Sequence, residues 1–360
     1  MLEKASLKNL RAYVPGKPIA DVQKEYGLEK VVKLASNENP FGSSKKVQEV
    51  LAKELTSLEY YPDGASKDLK NRLAEFHGLA EDRFLIGAGL DEVIAMVSRA
   101  LLIPGDEIIV PDPTFPQYEH HAIIEGAKIV KVPVSEPSGE MDLTKMLSSI
   151  TDQTKVIWLC NPNNPTGTYI KQERIEAFIK EVPNHVLVIS DEAYQEYVTV
   201  EEESTSIHLL EKFPNLMIMR TFSKAYGLAG LRVGYAITPK KLSHSLDVVR
   251  LPFNVGTLAQ KAGIVALDDQ EFISEIVEKN QTELLKWEEF LKAQEIPYYV
   301  SQANFIFFNI ETDDQKIGQY LMENGYIVRS GLRPNWLRVT IGHTEDNEAI
   351  RAKLLEGLKA

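Results

Sequence analysis

Between residues 83 and 237 the chain alternates short apolar runs with helical stretches. The runs cover 83–86, 107–110, 129–134, 155–160, 186–190, 216–219 and 233–237. Runs this short, bounded by turn residues and separated by helices, specify βαβ units and a parallel sheet. In an open sheet of that kind ligands bind beyond the carboxyl ends of the strands. Four polar or aromatic loops stand at those ends: Pro111-Asp-Pro-Thr-Phe-Pro116, Asn161-Pro-Asn-Asn-Pro-Thr-Gly167, Asp191-Glu-Ala-Tyr194 and Thr221-Phe-Ser-Lys-Ala-Tyr-Gly-Leu-Ala-Gly-Leu-Arg232. Their shared placement points to one site containing Phe115, Asn164, Asp191 and Lys224.

Lys224 follows an apolar strand and lies between Thr221, Ser223 and Arg232. A lysine amine can form a Schiff base with an aldehyde. Hydroxyls and a guanidinium nearby suit a phosphate ester, because arginine offers a planar fork of donors. Together these are the needs of pyridoxal 5'-phosphate. Gly87-Ala-Gly-Leu-Asp-Glu92 runs from a strand into a helix, where unpaired amides and the helix dipole favour an anion. A dinucleotide fingerprint needs a third glycine where Glu92 stands, so the turn reads as a single phosphate site. Ala35-Ser-Asn-Glu-Asn-Pro-Phe-Gly42, dense in amides, reads either as turn chemistry or as the lining of a polar pocket.

The pattern changes after residue 233. Strands are expected at 298–300, 305–310, 326–329 and 337–341, with a long helix over 272–293 and others near 314–324 and 345–358. The fold class is therefore α/β, a large domain with a mostly parallel central sheet plus a smaller α/β domain. The expected division is an N-terminal arm over 1–40 joining the small domain, a large domain over 41–240 and the small domain over 241–360. Ser66 is the expected N-cap of the helix that follows it. In the last strand Arg338 alternates with Leu337 and Val339, so local pattern alone makes it a solvated residue of the polar face, and Arg329 reads the same way.

A net charge of −12 argues against a nucleic-acid partner. The single cysteine, Cys160, allows no intrachain disulfide and suits a reducing, cytoplasmic setting. The first residues lack the apolar region of a signal peptide, and no run is long enough to span a membrane. The seven histidines have no metal-ligand spacing, so no metal is expected.

Taken in order, Leu34-Ala-Ser-Asn-Glu-Asn-Pro-Phe-Gly, Tyr61-Pro-Asp-Gly, Pro113-Thr-Phe-Pro-Gln-Tyr, Asn161-Pro-Asn-Asn-Pro-Thr-Gly, Asp191-Glu-Ala-Tyr, the Lys224 stretch and Tyr326-Ile-Val-Arg-Ser-Gly resemble the fold-type-I pyridoxal-phosphate aminotransferases. Within that family the nearer resemblance is to the branch acting on histidinol phosphate. It implies that Lys224 is the Schiff-base lysine and later the proton carrier. Asp191 pairs with the pyridine nitrogen, and Asn164 and Tyr194 reach the phenolic oxygen. Phe115 stacks on the ring. Thr221, Ser223, Arg232 and the amides of Ala88, Gly89 and Leu90 hold the phosphate. Tyr61 reaches that phosphate from the neighbouring subunit of a homodimer with shared sites. Tyr13, Asn39, Arg329 and Arg338 are implied at the substrate. The implied reaction is transamination of L-histidinol phosphate with 2-oxoglutarate. An aromatic amino-acid aminotransferase, or both activities, is the alternative.

Other classes fit less well. A related phosphate-ester lyase would need no 2-oxo acid. A ligand-sensing regulator would carry a basic DNA-binding domain before the core, and a dinucleotide oxidoreductase lacks its glycine. The chain departs from the family at Ala88 and Leu90, where Asn and Ser are expected. Its segment Ser330-Gly-Leu-Arg-Pro-Asn-Trp336 is short, and Arg333 adds a third cation there.

Overall fold

In the computed structural model every residue is described except 1, 2, 9, 13–15, 56, 57 and 360. The central sheet has seven strands, side by side in the order Phe84–Gly87, Gly234–Ile237, Leu216–Thr221, Leu187–Asp191, Thr154–Cys160, Glu107–Asp112 and Lys128–Pro133. Only Gly234–Ile237 runs against its neighbours; every other pairing is parallel. The mostly parallel α/β sheet expected from the strand–helix alternation is thus present.

The central strands are apolar on both faces because helices cover both. Ile157, Leu159, Val188 and Ile218 join one core with Leu69 and Leu73 of the helix Lys67–His77 and Ile175, Phe178 and Ile179 of the helix Gln172–Glu181. The alternate residues Val156, Trp158, Ile189 and Met217 join the other, with Val93, Ile94 and Val97 of the helix Leu90–Leu101. Fully burying each such side chain contributes about 1.5–3 kcal/mol before entropy is charged against it.

The smaller unit pairs Tyr298–Tyr299, Phe305–Asn309 and Trp336–Thr340 as an antiparallel sheet. The helices Gln270–Ala293, Asp314–Glu323 and Thr344–Lys359 pack on it through Leu284, Trp287, Ile317, Ile350 and Leu354. Near the N terminus, Val32–Lys33 pairs in parallel with Tyr326–Ile327, and the helix Ile19–Tyr26 buries Val22 beside Ile327. The opening segment is built into the small unit.

Two expectations are corrected. The helices Lys240–Val249 and Thr257–Leu267 pack on the large unit: Leu246, Ala259, Ala262 and Ala266 lie in its two cores. The boundary therefore falls inside the helix Gln270–Ala293, whose first turns bury Ile273 and Ile276 in the large core and whose later turns bury Leu284 and Trp287 in the small one. At the helix Lys67–His77, Ser66 sits in the left-handed region at φ 50° and makes no capping bond. Asp63 accepts from Ala65 N and Lys67 N instead, at 3.0 and 2.7 Å.

Candidate active site

A cavity of about 440 Å³ opens between the carboxyl ends of the large sheet and the small unit. It is lined by Phe115, Asn164, Asp191, Tyr194, Thr221, Ser223, Lys224 and Arg232 from the large unit and by Arg329 and Arg338 from the small one. The parallel strands bring the first eight together because each strand ends at the same edge of the sheet.

Lys224 extends from the turn after Leu216–Thr221, and its Nζ donates to Ser36 O at 3.1 Å. Burial, with the Arg338 charge adding to it, lowers its pKa from 10.5 to about 8. The turn is held by Gly227, whose N–H donates to Lys224 O at 2.9 Å. Gly227 lies at φ +69° with the Gly42 carbonyl where a Cβ would stand. Gly227→Ala therefore forces two backbone segments apart. It is expected to cost roughly 2–4 kcal/mol of stability and to loosen Lys224. Denaturant unfolding checks the loss, and a variant within about 0.5 kcal/mol of wild type refutes it.

Asp191 ends its strand 3% exposed. Tyr118 Oη donates to its Oδ2 at 2.5 Å and Ala193 N to its Oδ1 at 3.1 Å. Burial raises its pKa from 3.8 to about 6 despite those donors. Such a carboxylate is suited to a cationic N–H partner, whose charge would restore the ionised form. Tyr118 is itself stacked on Trp158 at 4.3 Å. Tyr194 Oη accepts from Asn37 Nδ2 at 2.9 Å, and burial holds its phenol well above the usual range. Phe115 packs edge-on against Tyr118 with ring centroids 5.6 Å apart.

Arg232, at φ 53°, donates to Ser223 Oγ at 3.4 Å and stands 3.6 Å from Asp91 Oδ2. Gly89, at φ +79°, has the Arg232 guanidinium where a side chain would go, so the close approach requires glycine. The amides of the turn are not equivalent. Ala88 N donates to Glu92 Oε2 at 2.6 Å and Gly89 N to Gly87 O at 2.8 Å. The Ala88 and Gly89 amides, expected at a phosphate, are thus both engaged within the turn in this structure. Leu90 and Asp91, the first residues of the helix, line the cavity.

Arg338 is buried, not solvated. Its Nη1 donates to Asn164 Oδ1 at 2.5 Å and its Nη2 to Ala35 O at 2.6 Å. Arg329 and Arg338 exchange backbone hydrogen bonds of 3.0 and 2.9 Å, which sets them on one wall. Asn39 is displaced from its expected role: its Nδ2 donates to Ala225 O and its Oδ1 accepts from Phe41 N, so both ends are used in the loop. Asn37 takes the place by the cavity. Tyr61 does not line the cavity of its own chain; it is 81% exposed and stacked on Phe253. Tyr13 lies outside the described residues. Arg333 pairs with Glu136 at 2.8 Å and Tyr299 Oη at 2.6 Å, away from the cavity lining. Asn37 and Tyr118 are the functional residues that residue pattern alone did not single out. Tyr118, three residues after Phe115 on the start of the helix Gln117–Ile124, was the more accessible of the two.

Among the described residues no group of three or more His, Cys, Asp or Glu is placed to hold a metal. The residues fit pyridoxal 5'-phosphate: a buried amine of lowered pKa, a buried carboxylate awaiting a cation, and a glycine-walled arginine beside a helix N-terminus. Fold and site together define a pyridoxal-phosphate-dependent aminotransferase. Residues 29–354 match the family Aminotransferase class I and II, and the chain belongs to it.

The chain is 48% identical over 359 residues to histidinol-phosphate aminotransferase 1 of Bacillus cereus, covering 99% of this chain and 96% of that protein. It is 48% identical over 356 residues to the histidinol-phosphate aminotransferase of Bacillus velezensis, covering 98% and 99%. Among solved structures, histidinol-phosphate aminotransferase from Sinorhizobium meliloti, in complex with pyridoxal 5'-phosphate, superposes with a TM-score of 0.90 at 25% identity, covering 99% of this chain and 97% of that one.

Proposed function

We propose that this aminotransferase converts L-histidinol phosphate and 2-oxoglutarate to imidazole acetol phosphate and L-glutamate, a step of histidine biosynthesis. The observation that carries the reading is the pair Arg329 and Arg338 on one cavity wall. A phosphate monoester carries close to two negative charges near neutral pH, which two guanidiniums match. An aromatic amino acid brings one carboxylate and leaves the second cation without an anion. Among the described residues the Arg329 side chain has no carboxylate within 4.0 Å. The full-length similarity to histidinol-phosphate aminotransferases supports the same choice.

When bound, the cofactor supplies a cationic ring into which electrons released at the substrate α-carbon are drawn. Asp191 would hold the ring N–H, with Tyr118 fixing the carboxylate. Asn164 and Tyr194 would meet the phenolic oxygen, and Phe115 the ring face. Arg232, Ser223, Thr221 and the first helical amides would hold the phosphate. With a pKa of about 8, Lys224 is roughly one-quarter neutral at pH 7.5, against about one part in a thousand for an ordinary lysine. Its Nζ can therefore take the α-proton of the amino donor and return it across the transferred nitrogen.

Steady-state kinetics with both donor classes tests the substrate. Arg329→Gln is expected to raise KM for histidinol phosphate at least about tenfold and KM for phenylalanine less than about threefold. Equal losses on both, or faster wild-type turnover of phenylalanine, favour the aromatic reading.

The chain is also proposed to act as a cytoplasmic homodimer. Leu55, Leu58, Tyr60, Tyr61, Leu251 and Phe253 are large, exposed and apolar, and a second copy of the chain would cover them and receive Tyr61. The proposal predicts complementation. Lys224→Ala and Tyr61→Ala subunits, each defective alone, are expected to regain about a quarter of wild-type activity when reassembled together, because half the dimers then hold one intact site. No recovery on mixing means that Tyr61 serves its own chain or none.

A further inference from the structure

Behind the cavity floor lies a buried ion pair that the proposed chemistry does not use. Asp191 and Thr221 end adjacent parallel strands and face the cavity. The neighbouring residues in sequence, Glu192 and Arg220, face the opposite side of the sheet and meet each other: Arg220 Nη1 donates to Glu192 Oε2 at 3.0 Å. Both are buried. Glu192 is saturated with further donors: Thr205 Oγ1 at 2.7 Å, Ser206 N at 2.7 Å and Ser190 Oγ at 3.3 Å. Its own N–H donates to Met219 O at 2.9 Å, just before Arg220. Arg220 Nη2 reaches Glu196 at 3.3 Å, while its Nε has no partner among the described residues. Tyr226 and Tyr235 also face the guanidinium, with His77 beyond, hydrogen-bonded to Tyr235 at 2.8 Å.

We infer that Glu192 and Arg220 are positioning residues which lock the two strand ends in register from behind, and so set Asp191 relative to Lys224. A pair of this kind is a poor source of net stability, since desolvating both charges offsets their attraction. It is directional, however. Arg220 is followed by Thr221 and, one turn on, by Lys224, so a shift of Arg220 against Glu192 moves the amine against the carboxylate. The inference rests on the aminotransferase reading and not on which amino donor is used.

The test uses cofactor-loaded enzyme and three substitutions: Glu192→Gln, Arg220→Lys and Thr205→Val. The last removes one hydroxyl from Glu192 while keeping both charges. Each is measured for kcat and KM with any donor the wild type accepts, for the rate of cofactor release, and for the pH midpoint of the visible cofactor band. Glu192→Gln and Arg220→Lys are expected to lower kcat about tenfold or more with KM within threefold. Cofactor release should quicken and the band midpoint should shift in both. Thr205→Val should change kcat and cofactor release in the same directions by about two- to fivefold and shift the midpoint the same way. Combining Glu192→Gln with Arg220→Lys should cost little beyond either alone. A fall in melting temperature with kcat, release and midpoint unchanged would show a purely structural pair and overturn the inference, as would independent, multiplicative effects. Thr205→Val and Arg220→Lys keep the pair's charges, so they test the idea even where Glu192→Gln fails to fold. If the wild type transfers no amino group, the function proposal fails; release and band measurements still judge the pair.

Discussion

Lys224→Ala protein is expected to hold the cofactor and to turn over at least about a thousandfold more slowly than wild type. Alanine leaves no amine to join the aldehyde and no base beside the substrate. No neighbour can substitute. Tyr194, 5.6 Å from the Lys224 amine by ring centroid, keeps its proton because burial raises its pKa. Asp191 is engaged with Tyr118 and Ala193. Arg338 and Arg232 are guanidiniums, which offer donors and no acceptor for a proton. A small primary amine added to the buffer should restore part of the rate, since the cavity then has room for it. Single-turnover absorbance with histidinol phosphate and then 2-oxoglutarate reads the result. A variant that keeps a tenth of wild-type turnover would falsify the assignment of Lys224.

Asp191→Asn separates activity from stability. Turnover is expected to fall at least about a hundredfold, because an amide cannot keep the ring nitrogen protonated. The cofactor-free fold, in contrast, should gain stability near neutral pH. The folded carboxyl titrates near 6 and the unfolded one near 3.8, so between these values the native state binds a proton that the unfolded chain has lost. Stability therefore falls as pH rises through that window, and above it the ionised Asp191 costs up to about 3 kcal/mol. Asparagine carries no such cost. Melting curves of cofactor-free protein should show the variant ahead at pH 8 and level with wild type at pH 4. Adding cofactor should raise the wild-type melting temperature more than the variant's. A variant that melts lower at pH 8 without cofactor would contradict the strain assigned to this carboxylate.

Much of this site was legible because parallel strands all deliver their carboxyl ends to one edge. Once the strands were placed, Phe115, Asn164, Asp191 and Lys224 had to be neighbours. The small unit was harder. Arg338 alternates with apolar residues, and alternation shows which face a side chain takes but not what covers that face; here the cavity wall, with Asn164 and Ala35, covers it. Asn37 and Asn39 are chemically identical and two residues apart. Only the left-handed turn at Asn37, φ 55°, decides which one meets Tyr194. The contacts of the Ala88 and Gly89 amides depend on a carboxylate one helical turn away and on a tight turn, neither of which the glycine pattern displays. The domain boundary was hidden because one uninterrupted helix, Gln270–Ala293, serves both cores.

The parallel pairing of Val32–Lys33 with Tyr326–Ile327, and the bond from Asn37 N to Thr340 Oγ1 at 3.0 Å, tie residues 32–37 to residues 326–340. A ribosome makes them far apart in time. The seven-strand sheet can assemble once residue 237 has emerged, and Asn37 and Asn39 can then reach Tyr194 and Ala225, whereas the strand Val32–Lys33 before Ser36 has no strand to pair with until residues 326 and 327 follow it out. A nascent chain thus carries its lysine, its carboxylate and its phosphate turn well before it carries a closed substrate site, and competence for transamination waits until Arg329 and Arg338 have been made.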